Sequence, residues 1–220
     1  MNLIVIYADA ALVVVDKPAG LLCVPGRGPD KQDCLLSHVT AQFQDALLVH
    51  RLDMATSGLC VFARSASVQS ALSKAFAARQ VHKRYVAVVA GQPVLNQPDA
   101  DGWQLIDLPL IADWPNRPLQ KVDLASGKSS FTRWRLSETL SAAWRTWPDA
   151  TRLELAPLTG RSHQLRVHLL ALGHPILGDA LYAPAAVQQR APRLLLHACE
   201  LGFVHPQTGL DVLLTCAVPF

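Results

Sequence analysis

The segment VHRLDMATSGLCVFARS, from residue 49 to 65, places three side chains with catalytic potential in a polar stretch just before an apolar one. His50, Arg51 and Asp53 crowd into this stretch, and loops beside rigid strands are where catalytic groups tend to lie. An ionised carboxylate can act as a nucleophile or as a base. Asp53 is therefore a candidate catalytic residue, although it could instead pair with Arg51 or cap the turn.

Two further segments combine polar side chains with an apolar pattern. LTGRSHQLRVHLLALGHPILGD, from 158 to 179, contains a Gly-Arg-Ser turn that opens a helix carrying Gln164, Arg166 and His168. APRLLLHA, from 191 to 198, is mostly apolar, and its three leucines are typical of a core. By itself this pattern indicates structure as readily as chemistry.

The histidines and cysteines give little support to a metal site. The sequence contains neither HExxH nor another recognised ligand spacing. The five cysteines form an odd, scattered set without a CxxC pair, which is typical of buried thiols in a reducing compartment. We therefore predict no metal and a cytoplasmic protein. The histidines concerned are His50, His163, His168, His174 and His197.

Composition predicts a packed domain rather than a disordered or membrane-spanning chain. Half of the 220 residues are hydrophobic, which is ample for a sizeable core. The net charge of +3 is small, so a basic surface would have to arise from the arrangement of charges. The apolar residues 3–15 lack a basic leader and are broken by Asp9, so they indicate two strands rather than a signal peptide. No apolar run approaches the roughly 18 residues that cross a bilayer.

Hydrophobic periodicity predicts the elements that position these residues. Ser67 is expected to cap one helix, and a second is expected to begin after Ser162, to bury Leu165, Leu169 and Leu172, and to end at Gly173. Residues 92–101 and 183–192 are expected to be loops. Strands are predicted at 3–7, 12–15, 59–63, 85–90, 129–140 and 151–155. The pattern favours one α+β domain with a mostly antiparallel central sheet flanked by helices, spanning residues 1–220.

Five segments together resemble the RluA-type family of RNA pseudouridine synthases, in the family's order and over nearly the whole chain. HRLDMATSG is similar to the catalytic motif, and KRYVAVVAG to the segment that supplies an active-site tyrosine. Residues 108–122 and 173–184 resemble the branch that modifies both large-subunit rRNA and the tRNA anticodon loop. The catalytic pattern begins within the first twenty residues, which predicts no small RNA-binding domain of the S4 type before it. The five segments are 20–28, 50–58, 83–91, 160–168 and 193–198.

The resemblance implies an isomerase without cofactor or metal that acts on structured RNA. Pseudouridine formation breaks the bond between ribose and the uracil nitrogen, turns the base and rejoins it through carbon. Asp53 would act at the sugar as nucleophile or base, as carboxylates do in glycoside chemistry. Tyr85 would stack on the target base, and the leucines at 194–196, Leu196 among them, would provide the opposing apolar contact. Arg161 would stabilise the charged carboxylate. By the residues alone, Tyr85 is a core tyrosine with a bonded hydroxyl.

The target nucleotide must leave its stack before it can react, which costs a few kcal/mol. The resemblance implies that Arg51 fills the vacated space and that His50 supports the turn or contacts RNA. We expect a monomer that binds rRNA and tRNA stem-loops and no membrane. Two other functions stay open, namely an RNA-binding module without catalysis and a metal-dependent hydrolase. The residues expected to contact phosphates are Lys83, Arg84, Arg117 and Lys121.

Overall fold

The computed structural model describes residues 3–137 and 149–220, which group into two compact units. The first unit comprises Met1–Lys83 and His197–Val218, and the second comprises Arg84–Leu196 and Pro219–Phe220. The end of the predicted strand at 129–140 lies outside the described residues.

The described residues form short strands and few helices, and two short 3-10 turns lie at Pro29–Lys31 and Trp114–Asn116. The helices are α1 (Leu35–Gln42), α2 (Ala66–Ala77), α3 (Gln164–Ala171) and α4 (Ala185–Gln188). The strands are β1 (Ile4–Ala8), β2 (Leu12–Lys17), β3 (Leu47–Leu48), β4 (Ser57–Ala63), β5 (His82–Ala90), β6 (Gln104–Asp107), β7 (Leu110–Ala112), β8 (Gln120–Val122), β9 (Phe131–Leu136), β10 (Ala150–Pro157), β11 (Leu196–Val204) and β12 (Asp211–Thr215).

In the first unit, β4 is the central strand, and all seven of its residues are buried. It pairs antiparallel with β2 and β3 and parallel with β11, while β1 extends the sheet beyond β2 and β12 extends it beyond β11. Leu59 and Val61 of β4 join Val68 and Leu72 of α2 in one hydrophobic cluster. A strand buried along its whole length is a rigid support for the loop that precedes it.

The parallel pairing of β4 with β11 depends on Gly58. This residue has φ +115°, and a Cβ placed there would lie 2.2 Å from the carbonyl oxygen of Ala198. Only glycine combines this dihedral with so close a backbone approach.

We expect Gly58→Ala to lower the free energy of unfolding by about 3 kcal/mol or more, because it adds backbone strain to a steric overlap. Urea unfolding followed by circular dichroism measures the change. Gly160→Ala is the matched control, since a Cβ there meets nothing within 4 Å. Equal midpoints for the two variants would contradict this account of the strand pairing.

In the second unit the sheet order is β5-β10-β9-β6, with every pair antiparallel, and β7 and β8 form a separate hairpin. The buried His168 of α3 hydrogen bonds through Nδ1 with Thr132 Oγ1 at 2.9 Å and through Nε2 with the Leu108 carbonyl at 3.0 Å. A ring whose two nitrogens are both hydrogen bonded within the protein has a structural role.

The predicted fold class is confirmed, since the chain is an α+β protein with a mostly antiparallel sheet, but three local predictions are wrong. Helix α2 is capped by Ser65, whose Oγ accepts from the Val68 amide at 3.3 Å, and not by Ser67. Leu172 is 37% exposed because α3 ends before it. The expected loop at 183–192 contains α4. Within 3–137 and 149–220, no helix has the length and apolarity that crossing a bilayer requires.

Candidate active site

Asp53 lies in the loop that joins β3 to β4, and its side chain is half-buried. The Asp53 carbonyl accepts from the Thr56 amide at 3.1 Å, which closes a tight turn immediately before the buried strand. The carboxylate is thus presented from a turn with a fixed geometry.

A buried lysine fixes the peptide that follows Asp53. Lys17, at the end of β2, is 0% exposed, and its ammonium donates to the carbonyls of Pro18 at 2.9 Å, Leu21 at 2.7 Å and Met54 at 3.0 Å. The Gly20 amide donates to the same Met54 carbonyl at 2.8 Å. A buried ammonium is costly to leave unbonded, so these bonds hold the loop firmly against the end of β2.

Two buried thiols hold the residues that precede Asp53. The Cys23 Sγ accepts from the Leu52 amide and donates to the Leu52 carbonyl, both at 3.3 Å. The Cys60 thiol donates to the His50 carbonyl at 3.6 Å. The neighbouring Cys60 side chain lowers the pKa of the Cys23 thiol against the opposing effect of burial. The sequence alone did not assign a role to either cysteine.

His50 and Arg51 differ in their surroundings. The His50 ring stacks on Phe76 with centroids 4.6 Å apart, and its Nε2 accepts from the Val61 amide at 3.2 Å. Burial, helped by the charge of Lys83, lowers the pKa of His50 to about 4, so the ring is neutral near pH 7. This arrangement suits support of the turn, whereas Arg51 is exposed.

A buried polar cluster lies where β4 meets β11. His197 is buried, and its Nδ1 hydrogen bonds with Ser57 Oγ at 2.8 Å while its Nε2 lies 3.1 Å from Cys216 Sγ. Asp16, His197 and Cys216 each offer a ligand atom within 4.8 Å of the others, so they are the described residues that could hold a metal ion. Burial, and then the charge of Asp16, raise the pKa of the Cys216 thiol to about 12.

In the second unit, Tyr85 and Arg84 are neighbours on β5. Tyr85 pairs in register with Leu155 of β10 and is partly exposed. The Arg84 guanidinium donates to Glu154 at 2.7 Å and lies 5.0 Å from the centre of the Trp103 ring. This ion pair gives Arg84 a structural partner within its own unit. Lys83, the last residue of the first unit's opening segment, is half-buried, and burial lowers its pKa.

Gln164 holds the turn that carries Arg161. Its Oε1 accepts from the Arg161 amide at 3.0 Å and from the Thr159 hydroxyl at 2.8 Å, and its Nε2 donates to the Phe131 carbonyl at 3.0 Å. The Arg161 side chain is exposed on this fixed turn. Leu196, at the start of β11, is buried.

The structure thus places the predicted residues in separate local settings. Asp53, Arg51 and His50 share one loop of the first unit, while Tyr85, Arg161 and Leu196 belong to the second unit. Arg117 and Lys121 lie on the hairpin of β7 and β8, where Lys121 pairs with Asp113 at 3.7 Å. Sequence reasoning missed Lys17 and the two thiols. The one local signal of the bonds from Lys17 was its position at the end of the apolar strand β2, next to Asp16.

The family model of RNA pseudouridylate synthase matches residues 11–171. The chain belongs to this family, and it is an isomerase that converts uridine in RNA to pseudouridine.

The similar proteins include two bacterial enzymes and a human one. The chain is 46% identical over 218 residues to the dual-specificity RNA pseudouridine synthase RluA of Yersinia pestis. This alignment covers 99% of this chain and 100% of that protein. It is 46% identical to RluA of Escherichia coli K12 over 94% of this chain and 89% of that one. The structure of human RNA Pseudouridylate Synthase Domain Containing 1 superposes with a TM-score of 0.78 at 26% identity, over 100% of this chain and 84% of that one.

Proposed function

We propose that this chain isomerises selected uridines in both large-subunit rRNA and the tRNA anticodon loop, with Asp53 as the group that attacks the ribose or removes a proton from it. The observation that carries the proposal is the fixed turn in which Asp53 lies. Hydrogen bonds to Leu52 and Met54 hold the backbone on both sides of it. Support for the two RNA classes comes from the similarity to the dual-specificity enzymes.

A fixed carboxylate suits this reaction for a physical reason. As the bond from ribose to the uracil nitrogen breaks, the sugar becomes electron-deficient. An oriented carboxylate stabilises this electron-deficient sugar or traps it. A glycosidase needs a second carboxylate to direct water, whereas an isomerase must exclude water so that the detached uracil is recaptured. In our proposal one aspartate is therefore sufficient, and the reaction needs no cofactor or metal.

The remaining roles are proposed residue by residue. Tyr85 stacks on the uracil, Leu196 contributes apolar contact, and the exposed Arg161 favours negative charge at the reacting centre. His50 supports the turn. Arg51 fills the space that the flipped nucleotide leaves in the RNA.

Phosphate contacts are proposed for four cations with different surroundings. Arg117 and Lys121 are exposed, whereas Lys83 is half-buried and Arg84 is paired with Glu154. The exposed cations should therefore contribute most to RNA affinity. We further propose a monomer that works in the cytoplasm, where a reducing environment would keep the five cysteines as thiols.

The function is tested by incubating the purified protein with two stem-loop RNAs, one from large-subunit rRNA and one from a tRNA anticodon arm. Pseudouridine is then quantified by chromatography of the digested nucleosides. The proposal expects pseudouridine at one position in each RNA. Product in only one RNA would reject dual specificity, and product in neither would reject the proposed substrates.

Metal removal should change nothing. The cluster of Asp16, His197 and Cys216 offers three donors, but both ring nitrogens of His197 are already engaged, Nδ1 with Ser57 Oγ at 2.8 Å and Nε2 with Cys216 Sγ at 3.1 Å. We expect dialysis against a strong chelator to alter neither the rate of pseudouridine formation nor the melting temperature, compared with dialysis against buffer alone. A stoichiometric metal in the purified protein, or loss of activity that zinc restores, would contradict this expectation.

A further inference from the structure

The hairpin of β7 and β8 carries an exposed aromatic ring with a cation stacked on it. Trp114 is 67% exposed, and the guanidinium carbon of Arg117 lies 3.7 Å from the centre of its ring. The structure describes two other tryptophans, Trp103 at 7% and Trp134 at 3% exposure. Among these three, Trp114 is the one that does not pack into the protein.

Hydrogen bonds across the hairpin fix the turn that presents Trp114. The Asp113 amide donates to the Leu119 carbonyl at 2.9 Å, and the Leu119 amide donates to the Asn116 carbonyl at 3.0 Å. The Asn116 side-chain amide donates to the Asp113 carboxylate at 2.9 Å. A ligand that meets the ring therefore need not order this backbone, which lowers the entropic cost of binding.

The hairpin and the turn that carries Arg161 are attached to the same tyrosine of the second unit. The Tyr182 hydroxyl accepts from the Gln120 amide of β8 at 2.9 Å and hydrogen bonds with His163 Nδ1 at 2.6 Å. His163 is two residues from Arg161 in the chain. RNA held by Arg161 would therefore meet a hairpin whose position relative to Arg161 is fixed through Tyr182.

The chemistry of this pair fits an unpaired base beside a phosphate. Bases that leave a loop stack on aromatic rings and on the planes of arginine, and a nearby cation favours the phosphate backbone. The hairpin also carries the exposed Lys121, whose ammonium lies 3.7 Å from the Asp113 carboxylate. A protein partner could also use tryptophan and arginine, but RNA is the ligand that the family membership supplies.

We propose that Trp114 and Arg117 form a stacking platform for an unpaired base of the substrate RNA, outside the uridine that reacts. This proposal rests on the proposed function, because it assigns a second contact to the same substrate. Such a platform contributes to affinity for loop RNA and leaves the chemical step at Asp53 unaltered.

The test compares Trp114→Ala, Trp114→Phe and Leu124→Ala, the last replacing an apolar residue that is 80% exposed in the same unit. The dissociation constant for the anticodon stem-loop and the single-turnover rate at saturating RNA are measured for each. We expect Trp114→Ala to weaken binding roughly 5- to 100-fold, with a saturated rate within about twofold of the original chain. Trp114→Phe should restore most of the affinity because it keeps a stacking ring, and Leu124→Ala should bind normally.

Tryptophan fluorescence gives a second measurement that does not depend on a damaging substitution. Stem-loop RNA should quench the fluorescence of the original chain more strongly than that of Trp114→Phe, because the variant lacks the indole on which the base stacks. Equal RNA affinity of Trp114→Ala and the original chain would overturn the platform and favour a protein partner. A loss that phenylalanine does not rescue, or a fall in the saturated rate alone, would overturn it as well. Absence of pseudouridine with the original chain would instead reject the proposed function.

Discussion

Replacing Asp53 by asparagine is expected to leave a folded protein that forms pseudouridine at least about 1,000-fold more slowly, which corresponds to about 4 kcal/mol in activation free energy. The amide keeps the size of the side chain and can still hydrogen bond, but it is neither a nucleophile nor a strong base. The loop should keep its shape, because its clamps from Lys17 and Cys23 act on backbone atoms rather than on the Asp53 side chain.

Single-turnover pseudouridine formation at saturating RNA measures this loss, and RNA affinity and the melting temperature are measured in parallel. Asp45→Asn is the matched control, since Asp45 lies at the surface of the same unit and pairs with Arg64. Exposed pairs of this kind contribute little, so the control should retain its rate. A rate for Asp53→Asn within tenfold of the original chain would remove Asp53 from the chemistry.

Arg51→Ala is expected to slow pseudouridine formation more on folded RNA than on unstructured RNA. A structured stem-loop must unstack its uridine before the reaction, while a short oligonucleotide with the same uridine has little stacking to lose. If the Arg51 side chain fills the space left in the RNA, the variant should lose roughly 10- to 100-fold more rate on the stem-loop, or about 1.4 to 2.7 kcal/mol.

The comparison requires equal salt for both RNAs, because salt alone shifts every phosphate contact. Lys74→Ala, which removes an exposed cation from α2 of the same unit, controls for a general loss of charge. Similar losses on the two RNAs would assign Arg51 to phosphate binding or to structure, and the gap-filling role would then be abandoned.

The sequence predicted the features whose signals are local. The apolar run at 59–63 predicted most of β4, periodicity predicted a helix that begins near Ser67, where α2 lies, and alternation favoured an antiparallel sheet. The cap of α2 was misplaced because Ser65 and Ser67 both precede the apolar face, and only the bond from Oγ to the Val68 amide distinguishes them. Six strands were not predicted, namely β3, β6, β7, β8, β11 and β12. Of these, β7 and β8 have three residues each, too few for a periodic pattern.

The support of the candidate site depends on contacts between residues far apart in the chain, which local patterns do not report. Lys17 reaches the Met54 carbonyl across 37 positions, and His197 reaches Ser57 across 140. The motif around Asp53 could be recognised from the sequence, but the atoms that hold its backbone could not. Such clamps follow from the pairing of β2, β4 and β11, which is a property of the folded sheet.

The most direct test of the central claim is to map pseudouridine in rRNA and tRNA from cells that lack the gene and carry either the original chain or Asp53→Asn at equal protein levels. Our account predicts that pseudouridines missing in the deletion return with the original chain at both an rRNA and a tRNA anticodon-loop position, and return at neither with Asp53→Asn. Return of both sites with Asp53→Asn, or no missing site in the deletion, would contradict it.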